Sequence, residues 1–135
     1  LLENERVKCT GWNNQGQLGD DTNTNKNTPV EVPNLTNVTQ ITAGVSHTCF
    51  LLNTGRVKCT GDNEYGQLGD DTNNSRNTPV EGPNLTNVRQ IDAGDSHTCF
   101  LLNTGEVKCT GQNNFGQLGT GTNTNRNTPV DTLID

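Results

Sequence analysis

The chain repeats itself every 50 residues. Arg6–Phe50 laid over Arg56–Phe100 compares 45 positions and differs at ten of them: 12, 14, 15, 24, 25, 26, 32, 39, 42 and 45. A third copy continues to Val130. A period near 50 residues belongs to propeller blades or solenoid turns, whose units bury their faces against their neighbours. Composition agrees with that reading. Apolar residues make up 27% of the 135, and the aromatics are only Trp12, Phe50, Tyr65, Phe100 and Phe115. Asn and Thr occur 21 times each. Too few large side chains exist to offset the entropy of ordering around one central core, so small cores between units are expected.

Two function classes drop out early. The net charge of −6 argues against electrostatic wrapping of nucleic acid. No apolar run approaches the roughly 18–20 residues that a helical membrane span requires, so membrane insertion is not expected.

Within one unit the strand signals are short and bounded by turn residues. Val38–Ala43 reads as a first strand and His47–Leu52 as a second. Val57–Thr60 reads as a third, and Val80 with its neighbours after Pro79 as a weaker fourth. No stretch places apolar residues at helical spacing, and Gly, Pro, Asn and Thr recur throughout. The predicted class is all-β, with four antiparallel strands per unit.

Asn53-Thr54-Gly55 separates the second and third strands, and Asn103-Thr104-Gly105 repeats it. A three-residue hairpin loop of this kind holds its last residue in a left-handed conformation, where Gly carries no steric penalty. The loop pairs Leu52 with Arg56, Phe50 with Lys58 and Cys49 with Cys59. Alternation makes the cysteines a non-hydrogen-bonded pair, about 4.5 Å between Cα atoms, within disulfide reach. Disulfides Cys49–Cys59 and Cys99–Cys109 are predicted, implying an oxidising compartment. Two alternatives stay open here: reduced core cysteines, and a metal held with His47 and His97, which leave the strand on the cysteine face. The ten-residue spacing lacks the short Cys-x-x-Cys form of a zinc site.

Cys9 stands apart, because its hairpin partner would fall one position before the first residue. The corresponding loop, Glu3-Asn4-Glu5, also lacks the glycine. The expected organisation is a partial repeat over 1–35, a full repeat over 36–85, and a full or nearly full one over 86–135. Such an array stays open rather than closing into a ring by itself, and Cys9 is a candidate for an intermolecular disulfide.

The segments Gly61-Asp62-Asn63-Glu64-Tyr65-Gly66-Gln67-Leu68-Gly69 and Ala93-Gly94-Asp95-Ser96-His97-Thr98-Cys99 resemble the regulator of chromosome condensation repeat family. The resemblance runs from Arg6 to Val130. It implies β-propeller blades of four strands, usually seven to a ring. It also implies a structural role for Gly44, His47, Gly94 and His97, where the histidine ties strand to turn. Family members include a nuclear exchange factor for a small GTPase, plant photoreceptors, ubiquitin ligase modules and a secreted bacterial β-lactamase inhibitor. Paired hairpin cysteines resemble the secreted members more than the nuclear factor. A single Trp12 cannot build the tryptophan cluster of the photoreceptors.

Other candidates are weighed on their chemistry. Ser46-His47 and Ser96-His97 are adjacent on a strand and face opposite sides, so no catalytic residue is expected. Asp20, Asp21 and Asn23, with Asp70, Asp71 and Asn73, resemble oxygen-rich calcium loops, but the third copy has Thr120 and Gly121 instead of both aspartates. A solvated loop is the expected state, with no metal or cofactor. Asn34, Asn37, Asn73 and Asn84 head N-x-[ST] sequons and are candidate glycosylation sites. Asp92 and Asp95, replacing Thr42 and Val45, make one turn acidic, which suits a basic protein surface.

The sequence therefore reads as a non-enzymatic, extracellular or cell-surface repeat protein that self-assembles through blade edges, as a filament subunit. Its partners would be copies of itself, further repeats of a longer chain, or another protein bound through loops. The alternative is part of a closed propeller acting as a protein-binding module of inhibitor or adhesion type. GTPase nucleotide exchange is a third, weaker reading.

Overall fold

A computed structural model describes residues 1–134. Ten strands and no helix occur among them: β1 (Lys8–Gly11), β2 (Lys26–Glu31), β3 (Val38–Ala43), β4 (His47–Leu52), β5 (Val57–Gly61), β6 (Arg76–Glu81), β7 (Val88–Ala93), β8 (His97–Leu102), β9 (Val107–Gly111) and β10 (Arg126–Asp131). They form two four-stranded antiparallel sheets, β3-β4-β5-β6 and β7-β8-β9-β10, and a two-stranded β1-β2 sheet. These are propeller-type blades, set in an open array.

The hairpin loops control register. Gly55 and Gly105 take φ of 79° and 91°, and Glu5 adopts φ 60° in the glycine-free first loop. Cys49 stands opposite Cys59 and Phe50 opposite Lys58. Cys49–Cys59 and Cys99–Cys109 are disulfides, each with Cα atoms 4.1 Å apart. The outer strand is longer than its sequence signal, since β6 begins at Arg76, three residues before Pro79. Pro79 is tolerated because β6 lies at the sheet edge, where no further strand needs an N–H.

The apolar cores lie between blades. Val7, with Cys9 beside it, packs on Val38, Phe50 and Leu52. Cys49, Leu51, Val57, Cys59 and Leu68 pack on Val88, Ile91, Phe100 and Leu102. The β4/β5 disulfide face thus meets a Val/Ile/Phe/Leu surface on the next blade, and the Val7/Cys9 face of the first sheet meets a similar Val/Phe/Leu surface. This is how a chain with few apolar residues folds: most of its buried large side chains are spent on sealing junctions.

Candidate interaction surface

The Gly-Gln-Leu-Gly loop joins one blade to the next. Thr60 Oγ1 lies 2.8 Å from Gly16 O and 2.9 Å from Arg76 O, sharing its hydrogen between two carbonyls. Thr110 repeats this with Gly66 O and Arg126 O, both at 2.8 Å. The Thr48 and Thr98 hydroxyls donate to Gln17 O and Gln67 O, each at 2.8 Å. Asn77 O accepts from Asp21 N, and Asn127 O from Asp71 N, both at 2.9 Å. At the inner strands, Ile91 N donates to Gln40 Oε1 at 2.7 Å and Ala93 N to Thr42 Oγ1 at 3.0 Å.

A buried asparagine shapes each loop from within. Asn63 Oδ1 accepts from Leu68 N, while its amide donates to Asp70 Oδ1, Thr72 O and Asn74 O. Asn13 does the same in its loop, and Asn113 does so in the third with Thr120 Oγ1 in place of the aspartate. The loop so formed presents its glycine to the neighbour. A Cβ on Gly16 would stand 2.4 Å from Asn77 Cα, and one on Gly66 would stand 2.4 Å from Asn127 Cα. The third loop has the same backbone, with Gly116 at φ 78°. A Cβ on Gly116, however, meets nothing within 4 Å.

His47 belongs to this junction. Thr98 Oγ1 gives its hydrogen to Gln67 O, so it accepts from His47 Nε2 at 2.9 Å. The imidazole therefore carries its proton on Nε2. Burial drives its pKa down to about 4, against the pull of Asp62. Its ring lies on Gly44, where a Cβ would come 2.4 Å from Cε1, and His97 lies on Gly94 in the same way. His97 is half-buried, and burial lowers its pKa against the opposing effect of Asp95 and Asp92. Neither serine before these histidines is hydrogen-bonded to its ring.

The aspartates of the first two loops do not converge. Asp20 Oδ1 accepts from Asn13, Thr22 N and Thr22 Oγ1, and Lys26 lies 3.5 Å from Oδ2. Burial works against this carboxylate, but the bonds from Thr22 and Asn13 outweigh it and hold the pKa below the ordinary range. Asp70 repeats the arrangement, with Arg76 at 3.2 Å. Asp21 and Asp71 turn to solvent at φ 64° and 62°. Asn23 and Asn73 donate to Asn14 O and Glu64 O, and accept from Asn77 and Asn127 across the junction. The oxygen-rich pattern is thus a loop scaffold plus a blade contact.

Loops, junctions and blades of this form identify the chain. Models of the regulator of chromosome condensation (RCC1) repeat match residues 6–51 and 54–101, and again 38–67 and 88–117. The chain belongs to the RCC1 repeat family. Similar solved structures include Prp20p from Saccharomyces cerevisiae, with TM-score 0.86 and 19% identity over 99% of this chain and 35% of that one. Human WBSCR16 matches with TM-score 0.81 and 23% identity, over 97% and 34% of the two chains. Yeast RCC1 (Prp20) bound to Kap60 matches with TM-score 0.73 and 21% identity, over 94% and 33%. This chain spans about a third of the length of each. At these identities the likeness is one of fold. Prp20p is described with binding properties toward Gsp1p and histones. No curated protein matches the sequence significantly.

RCC1 repeats make the remaining candidates easy to place. Asn34, Asn37, Asn73 and Asn84 are all exposed, but the Asn73 amide is engaged by Glu64 O. Cys9 is a half-buried free thiol on the face toward the second blade, and burial raises its pKa. Sequence reasoning missed Thr60, Thr110, Asn77, Asn127 and Gln40 as junction residues. Their signal was present, since Thr60 and Asn77 recur unchanged at Thr110 and Asn127, yet nothing local names a partner 44 or 54 residues away.

Proposed function

We propose that this chain is a non-enzymatic interaction module that works by stacking blade on blade, its third unit receiving a further RCC1-type repeat. The observation that carries this reading is Gly116. It stands in the loop that closes tightly on Asn77 and on Asn127 elsewhere, yet it faces open space. The β8–β9 face that continues from it is also unsealed: His97, Cys99, Leu101 and Val107 are half-buried where His47, Cys49 and Val57 are covered. A repeat offering an Asn-x-Pro edge and a Val/Ile/Phe/Leu face fits there, as at the two existing junctions. The two disulfides support an oxidising, extracellular setting.

Self-assembly is the second reading, and Thr10 favours it. Its hydroxyl donates to Lys26 O at 2.9 Å, as Thr60 does to Arg76 O, but has no Gly16-like carbonyl to share. Gly116 O of a second copy supplies one, with Asn27 and Pro29 in the places of Asn77 and Pro79. Such a contact is head-to-tail and builds an open filament.

Appending a further copy of residues 36–85 after Asp135 tests the first reading by hydrogen exchange. Stacking predicts strong protection of the amides of residues 116–121; unchanged exchange there sinks it. Sedimentation velocity of the unmodified chain tests the second. Association that grows with concentration and vanishes in Gly116→Ala supports it, and a monomer at every concentration rejects it.

A further inference from the structure

The inner strand of a blade is a sheet edge, and in this chain the preceding blade caps it. β7 uses one side to pair with β8, and the Ile91 and Ala93 N–H groups point out of the sheet on the other. Gln40 Oε1 accepts the first at 2.7 Å and Thr42 Oγ1 the second at 3.0 Å, both from β3 of the blade before. Acceptors two residues apart on one strand share a face, so they meet donors of the same spacing. Without them two backbone donors of the edge would be unpaired.

Each end of the array carries one half of this device. On the third blade, Gln90 and Asp92 hold the positions of Gln40 and Thr42. Both are exposed, and with Cys99, Leu101 and Val107 they line a shallow groove on the free face. On the second blade, β3 has the register of β7: Ile41 stands opposite Phe50 as Ile91 does Phe100, and Ala43 opposite Thr48 as Ala93 does Thr98. The Ile41 and Ala43 N–H groups therefore point out of their sheet as well. Among the described residues, the first sheet holds only β1 and β2 and has no inner strand to cap them.

We propose that Gln90 and Asp92 form a two-pronged acceptor for the inner edge strand of an incoming unit, and that β3 of a second copy is the strand they take. Gln90 Oε1 receives the Ile41 N–H, and the Asp92 carboxylate receives the Ala43 N–H. The inference rests on the blade-stacking reading and adds which groups choose the partner. Within the capping pair Gln90 keeps the Gln40 amide, whereas Asp92 replaces a hydroxyl with a carboxylate. A hydroxyl donates and accepts, but a carboxylate only accepts. Its bond to an N–H is charge-assisted, and a strand edge that set a carbonyl against it would be repelled. This face therefore selects an edge with free N–H groups two residues apart.

Residue-resolved hydrogen exchange tests this on the chain with a copy of residues 36–85 appended after Asp135, which brings β3 as a tethered partner. The appended amides equivalent to Ile41 and Ala43 should be protected like Ile91 and Ala93, while Ile41 and Ala43 themselves exchange fast. Asp92→Ala should speed exchange of the appended Ala43 equivalent about tenfold and leave the Ile41 equivalent unchanged. Asp92→Thr, which copies the second blade, should restore most of the protection. Amides 116–121 report stacking in the same sample. Their protection without that of the two edge amides, or with an Asp92→Ala variant that changes neither, overturns this inference and leaves stacking standing. Where the appended unit does not fold, the unmodified chain at rising concentration decides. Protection gained by its Ile41 and Ala43 amides, and lost in Asp92→Ala, supports the pairing. Exchange that never changes with concentration overturns it.

Discussion

The loops 63–71 and 113–121 share five of nine residues and the same fold, and only one of them has a blade against it. Asn63 and Asn113 organise their loops through matching bonds, so the loop backbone does not depend on its neighbour. What the neighbour changes is exposure. Gly66 and Gln67 are buried, whereas Gly116 and Gln117 are half-buried. Tyr65 is half-covered while Phe115 is 85% exposed. The loop is therefore preorganised, and docking a blade requires little rearrangement.

The two glycines give the largest test of that difference. Both sit at positive φ, so an alanine at either costs about 1–2 kcal/mol of backbone strain. Gly66→Ala adds a collision with the Asn127 backbone, which the packed junction cannot absorb cheaply. Its total loss should reach about 4 kcal/mol, against about 1–2 for Gly116→Ala. Urea unfolding followed by circular dichroism measures both. Equal losses would mean that the junction is looser than the 2.4 Å approach indicates.

The two histidines sharpen the comparison through pH. His47 is sealed by the third blade, and its folded pKa of about 4 lies below the ordinary value near 6.5. The unfolded chain thus binds the extra proton in that window, so stability is full above about pH 6.5 and falls as pH drops toward 4. The loss amounts to up to about 3 kcal/mol. His97 adds the same sign to a smaller degree, because it is half-buried. Asp20 and Asp70, whose pKa values are lowered, contribute only at still lower pH. Titration of the two imidazole Cε1–H resonances should give a much lower midpoint for His47. Coincident midpoints would break the comparison.

Which parts of this were legible in the sequence follows from how far apart the interacting residues lie. The Cys49–Cys59 register could be counted outward from Gly55, since hairpin pairing is local and alternation does the rest. The all-β class rested on equally local signals, and the blade period on the recurrence of the sequence at a 50-residue shift. Junction chemistry was not legible in this way. Thr60 reads as an ordinary strand threonine until Gly16, 44 residues earlier, is placed above it. Asp20 and Asn23 suggested a cation because their side chains are oxygen-rich, but oxygen content does not say whether those atoms face one another or an asparagine.

The threonine fork offers the smallest and most local test of the difference between engaged and free edges. Thr110 holds Gly66 O of the preceding blade and Arg126 O of its own sheet, and it is fully buried. Thr10 holds only Lys26 O and is exposed. Thr110→Val keeps the shape but leaves two carbonyls short of a donor, one of them in the junction, and should cost about 1–2 kcal/mol. Thr10→Val removes one solvent-exposed bond that water replaces, and should cost no more than about 0.5 kcal/mol. If Thr10 proves as costly as Thr110 under dilute, monomeric conditions, the fork stabilises its own blade rather than the contact between blades. If the cost of Thr10→Val appears only at high protein concentration, that hydroxyl is engaged by a second copy, as head-to-tail stacking requires.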